Sequence, residues 1–190
     1  MQKKLVYIGL PVILVAAFLA WLFIESSKPP LGTKIADLGR GHVPIGEKVD
    51  YNSNPPTSGP HYEDWVRSGV YTEPKDDRNL VHSLEHGYVI MHYRCNLGKT
   101  SQEATASALA TPSGKLDSQS ECDQRKSQLE TIYEKKGKKK LIVVVRPNLD
   151  TNFALTAWSY IDKFDNFDKA SIEKFIDAHL NNGPEKTMEP

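Results

Sequence analysis

Six histidines stand in this 190-residue chain, and four of them, His61, His82, His86 and His92, fall within 32 residues. Imidazole is the commonest protein ligand for transition metals and titrates near neutral pH, so metal binding and general acid–base work are the chemistries such a grouping supports. The tightest set is Val81-His82-Ser83-Leu84-Glu85-His86-Gly87. On a helix, His82 and His86 lie one turn apart on one face, the spacing that a shared ion needs. On an extended segment their even numbers again put them on one face, joined by His92 unless a bulge at Gly87 disturbs the parity. Either backbone makes His82 and His86 neighbours. His61, in a Gly-Pro-His-Tyr turn, is the best third ligand, with His92 as the fourth or as a support to the other three. His42 and His179 rank below these. His179 falls on an apolar helical stripe, where a histidine is more often a hydrogen-bonded core residue.

Imidazoles without a free thiol suit Cu(II) or Zn(II), and in an exported protein copper is preferred. Met91 would favour Cu(I), but on a strand it points away from His92. The same residues also spell H-x-x-E-H, in which two histidines hold zinc and the glutamate activates water, so a zinc-dependent hydrolase using Glu85 is the alternative. Against it, Gly87 ends the helix at once and no long helix downstream offers an obvious third carboxylate. Glu85 would then orient an imidazole, and metal handling is preferred to catalysis. A third reading keeps the histidines structural, in a non-catalytic accessory subunit of a membrane protein complex. Ser58 and Ser83 sit outside any G-x-S-x-G turn, which removes the support for a serine hydrolase.

The elements that must position these residues begin with a membrane segment. Residues 5–24 form a 20-residue run without a charge, and at 1.5 Å per residue such a run spans roughly 30 Å, the thickness of a bilayer core. Lys3 and Lys4 precede it, so the N-terminus is expected to stay cytoplasmic and the remainder to lie in the periplasm or outside the cell. The run exceeds the usual length of a signal-peptide core, which favours a retained single-pass anchor, residues 1–25, over a cleaved leader. In an oxidising compartment the two cysteines, Cys95 and Cys122, are expected to pair. Basic and acidic residues balance at 24 each, without the basic excess typical of nucleic-acid binders.

Residues 26–41, with Pro29-Pro30, read as a tether. A short strand is expected in 42–51, loop in 52–62, strands at 88–95 and 141–145, and an alternating strand in 153–164. Helices are expected at 101–110 and 121–136, and a third follows Asp168, with Ile172, Phe175, Ile176, His179 and Leu180 on one stripe. Lys135 to Lys140 reads as a solvated turn. Strands and helices do not alternate regularly, so the expected fold is α+β: a small, mostly antiparallel sheet covered by helices.

The motifs PPTSGPHY (55–62), GVY (69–71), LVHSLEHGYVIMHY (80–93), VRP (145–147), ALTAW (154–158) and FI-x-x-H (175–179) together resemble the bacterial Domain of Unknown Function 3105 family. The resemblance covers about residues 42–185, and all six histidines fall on its motifs, His42 on an HV element at 42–43. It implies an exported or singly anchored protein, and it assigns no activity. Residues 100–137 depart from it as a helical insertion.

Overall fold

The computed structural model describes residues 14–19, 31–97 and 116–187. The chain divides into two units, Met1–Pro30 and Leu31–Pro190. In the first, residues 14–19 are helical and exposed. Residues 5–13 and 20–24 of the expected membrane span lie outside the described residues, as does the helix expected at 101–110. Among the described residues no helix is long and apolar enough to cross a membrane.

The second unit runs β1 (Thr33–Lys34), β2 (Arg40–His42), β3 (Gly59–His61), β4 (Gly69–Tyr71), α1 (Asp77–Glu85), β5 (Val89–Tyr93), α2 (Gln119–Lys135), β6 (Leu141–Val145), β7 (Phe153–Ala157), β8 (Tyr160–Phe164) and α3 (Lys169–His179). Six strands form one sheet in the order β1-β8-β7-β5-β6-β4, and β2 and β3 form a separate pair. The fold is α+β as expected, but the main sheet is mixed. Its β1, β8, β7 and β5 are antiparallel neighbours, whereas β5, β6 and β4 run parallel. Helix α2 provides the crossover that the parallel neighbours β5 and β6 require, and α1 joins β4 to β5, which flank β6.

The central strands are buried on both faces, which is why Leu141–Val145 is an unbroken apolar run. On one face Val89, Met91, Val143 and Leu155 meet Leu129 and Ile132 of α2 and Ile172, Phe175 and Ile176 of α3. On the other, Ile90, Ile142 and Val144 meet Leu80 and Leu84 of α1, with Trp65 against them. Of the segment 100–137, expected as a helical insertion, the described helix α2 packs into this core. A capping box between Ser118 and Glu121 starts that helix, and the disulfide Cys95–Cys122 ties its first turn to the end of β5.

Part of the segment expected as a tether is folded. From Leu31 onward it belongs to the folded unit, with Thr33 paired to Ile161 and Arg40 to Gly59. In place of a strand over 42–51, regular pairing stops at His42, and a strand appears at Gly59–His61, inside the Pro/Gly-rich stretch expected as loop.

Candidate functional site

Helix α1 carries the central candidate ligands, His82, Glu85 and His86. Asp76 caps its start by accepting a hydrogen bond from the Arg78 N–H. Its end is closed at Gly87, whose φ of +81° places it in the left-handed region that favours glycine. There the Gly87 N–H donates to the Leu84 carbonyl at 2.9 Å and the Tyr88 N–H to the Ser83 carbonyl at 3.1 Å, the paired closure of a Schellman motif. The segment 82–86 is therefore helical, ending with His86 as C-cap.

The β2–β3 pair adds two more imidazoles, because its parallel register sets His42 directly against His61. Ser83 holds the loop that follows β3, accepting from the Val66 N–H and donating to the Val66 carbonyl. His61, His82, Glu85 and His86 are all buried, while His42 is exposed.

Hydrogen bonds to carbonyls set the ring tautomers, since a carbonyl only accepts. The His82 Nδ1–H donates to the Tyr62 carbonyl at 2.7 Å, and the His61 Nδ1–H to the Gly59 carbonyl at 2.8 Å. In each neutral ring the lone pair is then on Nε2, the arrangement found in metal-ligating histidines. Burial lowers the His82 pKa from its ordinary value, the Tyr62 carbonyl partly offsets this, and the neighbouring imidazoles add to the lowering, which favours the neutral ring.

The His86 Nε2–H donates to the His82 Nε2 at 3.1 Å, and His61 Nε2 lies 2.8 Å from Glu85 Oε2. The His61 Nε2 is buried and has no hydrogen-bond partner, so the carboxylate is close without lying along a ring N–H. Two donors each about 2.0–2.1 Å from one ion stand about 2.9 Å apart at a right angle and about 3.3 Å apart at the tetrahedral angle, so both spacings approximate a ligand shell. Among the described residues, two groups bring potential ligand atoms within 4.8 Å of one another: His42, His61, His82 and Glu85, and His82, His86 and Glu185.

Residues 42–190 match the model of a family described as Protein of unknown function (DUF3105). The chain belongs to this family. No curated protein and no solved structure matches it. The matched stretch of this DUF3105 chain begins at His42 and takes in both candidate groups.

His92, expected as a fourth ligand, belongs to neither group. After Gly87 the chain reverses, so β5 carries His92 back past the start of α1, where it shares the wall of a cleft of about 420 Å³ with Asp77, Leu80 and Arg146. Its Nε2 pairs with the Thr156 hydroxyl at 3.0 Å, its Nδ1 is buried without a partner, and burial holds its pKa well below the ordinary value. His179 bonds the Leu31 carbonyl at 2.7 Å between Tyr160 and Phe175, as a core histidine does. Met91 faces the α2–α3 side, opposite α1.

Two contributors were not legible in the pattern. Glu185 arrives on the C-terminal segment, its carboxylate 3.8 Å from His86 Nε2. Lys140, in the basic run expected as a solvated turn, is buried, and its ammonium donates to the His86 and Thr187 carbonyls. It thereby supports the end of α1, where a cation complements the helix dipole. A lysine immediately before an all-apolar strand is the available sequence signal for it.

Proposed function

We propose that this DUF3105 chain is a membrane-anchored, exported protein that binds one divalent transition metal ion through His61, His82 and Glu85, with His42 completing the set. The observation that carries the reading is the buried Nε2 of His61, without a hydrogen-bond partner, 2.8 Å from the Glu85 carboxylate and beside the lone pair of His82. A buried lone pair facing a carboxylate is unfavourable unless a proton or a cation lies between them.

Imidazole and carboxylate donors suit Cu(II) and Zn(II), and with both cysteines in a disulfide no described thiol competes. Copper is the preferred ion, since Cu(II) binds such donors more tightly than zinc does. The disulfide and the uncharged run at 5–24 support export and anchoring. Glu85 stands among the ligand atoms, which favours metal handling over a role as general base.

The test is metal content by mass spectrometry of the full chain in detergent, loaded with Cu(II) and Zn(II) in competition. Wild type is expected to hold a stoichiometric ion that a folded His61→Ala/Glu85→Gln variant loses. An absence of metal under every loading would leave His61 and Glu85 a buried ion pair and return the cluster to a structural role.

A further inference from the structure

The two ligand groups share His82, and that residue has only one nitrogen to give. Its Nδ1–H is held by the Tyr62 carbonyl at 2.7 Å, inside the protein. The remaining Nε2 carries a single lone pair, which can bind one ion at a time. The groups are therefore two overlapping positions for the same ion.

Each position has one exposed donor, His42 in the first set and Glu185, its side chain 53% accessible, in the second. The set of His42, His61, His82 and Glu85 is the inner one, with three buried donors, and the set of His82, His86 and Glu185 the outer one, with two. Glu85 and His86 are consecutive at the end of α1 and so face the two positions from one turn of backbone. With His82 Nε2 and His86 Nε2 3.1 Å apart, an ion held by both can exchange His86 and Glu185 for His61 and Glu85 without leaving His82.

We infer that His86 and Glu185 form a receiving position that passes a divalent transition metal ion to the inner position, with His82 as the pivot. This rests on the metal-binding reading above and adds the direction of entry and a limit of one ion per chain. No bond is made or broken except metal–ligand bonds, and each donor lost is replaced by another. The inner set offers four donors to the outer set's three, so the ion comes to rest inside.

The experiment uses the full chain in detergent with Cu(II) or Zn(II) as the probe, with stoichiometry from titration calorimetry and loading rates from stopped flow. Trp65, whose ring centroid lies 4.8 Å from that of His86 and 5.4 Å from that of His82, reports Cu(II) arrival by fluorescence quenching. Wild type is expected to bind one equivalent. Glu185→Gln and His86→Ala are expected to keep one equivalent with little change in final affinity and to load about tenfold more slowly, a barrier about 1.4 kcal/mol higher. His61→Ala is expected to load at the wild-type rate and lose affinity instead. Glu185→Gln changes an exposed side chain, so it tests the route even if His86→Ala fails to fold.

Loading of Glu185→Gln and His86→Ala as fast as wild type would overturn the receiving role. Two tightly bound equivalents in wild type would overturn the shared pivot and leave the metal-binding reading standing. No metal bound by any variant would overturn both.

Discussion

Replacing Gly183 with alanine should detach the C-terminal segment from the end of α1. A Cβ built at Gly183 would lie 2.1 Å from the Glu85 carbonyl oxygen, 2.3 Å from the Gly87 nitrogen and 2.8 Å from the Glu85 carbonyl carbon. All three are backbone atoms, so no rotamer change relieves the contact, and the segment must move by roughly an ångström to regain a normal carbon contact distance. Two backbone hydrogen bonds hold it in register, from the Glu185 N–H to the Glu85 carbonyl at 3.0 Å and from the Asn181 N–H to the Gly87 carbonyl at 2.9 Å. Each contributes about 0.5–1.5 kcal/mol net, so losing both costs about 1–3 kcal/mol. The reduced freedom of alanine in the unfolded chain offsets about 0.4–1 kcal/mol of that. The net expectation is about 1–2 kcal/mol of destabilisation, or a drop in Tm of about 2–8 °C for a domain of this size. Urea and thermal melts of the full chain in EDTA measure it without a metal contribution. Gly41→Ala is the control, since its Cβ would meet nothing within 4 Å and its φ is not in the left-handed region. A Gly183→Ala variant as stable as wild type would refute the reasoning, because the close approach would then not constrain the segment that presents Glu185 to His86.

Leu84 is fully buried between α1 and the sheet, and Leu84→Ala should cost about 2–5 kcal/mol in urea unfolding, removing the packing that seats the histidine helix. Replacing Cys95 and Cys122 by alanine removes a cross-link between residues 27 apart. This should lower stability by roughly 2–4 kcal/mol, with dithiothreitol lowering wild-type Tm and leaving the variant unchanged. His92 is held neutral by burial, and secondarily by the Arg146 guanidinium. Its folded pKa lies below its unfolded one, so the unfolded state binds the extra proton: the contribution is full above the unfolded pKa near 6.5 and is lost as pH falls below it. Wild type should therefore lose up to about 1.4 kcal/mol per pH unit more than His92→Asn between about pH 6 and pH 5, and equal slopes would count against the assignment.

Some elements were legible because their causes are local. Asp168 was expected as a cap and caps α3 through the Ala170 and Ser171 N–H groups. The stripe Ile172, Phe175, Ile176 and His179 packs inward as its spacing demands. The run 141–145 is a buried strand with parallel neighbours on both sides. The strand pairing β2 with β3 was missed because three residues, Gly59, Pro60 and His61, carry no periodicity against a background of turn residues.

The candidate site divides along the same line. The adjacency of His82 and His86 and the stop at Gly87 follow from five residues and the pitch of a helix, so the sequence determined them without the rest of the fold. That His42 rather than His92 stands beside His61 was decided by the tertiary structure. A parallel register across 19 positions brings His42 to His61, and a chain reversal at Gly87 sends His92 to the far end of α1. Glu185 and Lys140 were likewise placed by contacts between segments distant in the chain, through the close approach at Gly183 and the ammonium at the His86 carbonyl. Periodicity and spacing record only neighbours along the backbone, whereas a ligand shell gathers donors from several segments whose meeting is decided by sheet register and packing.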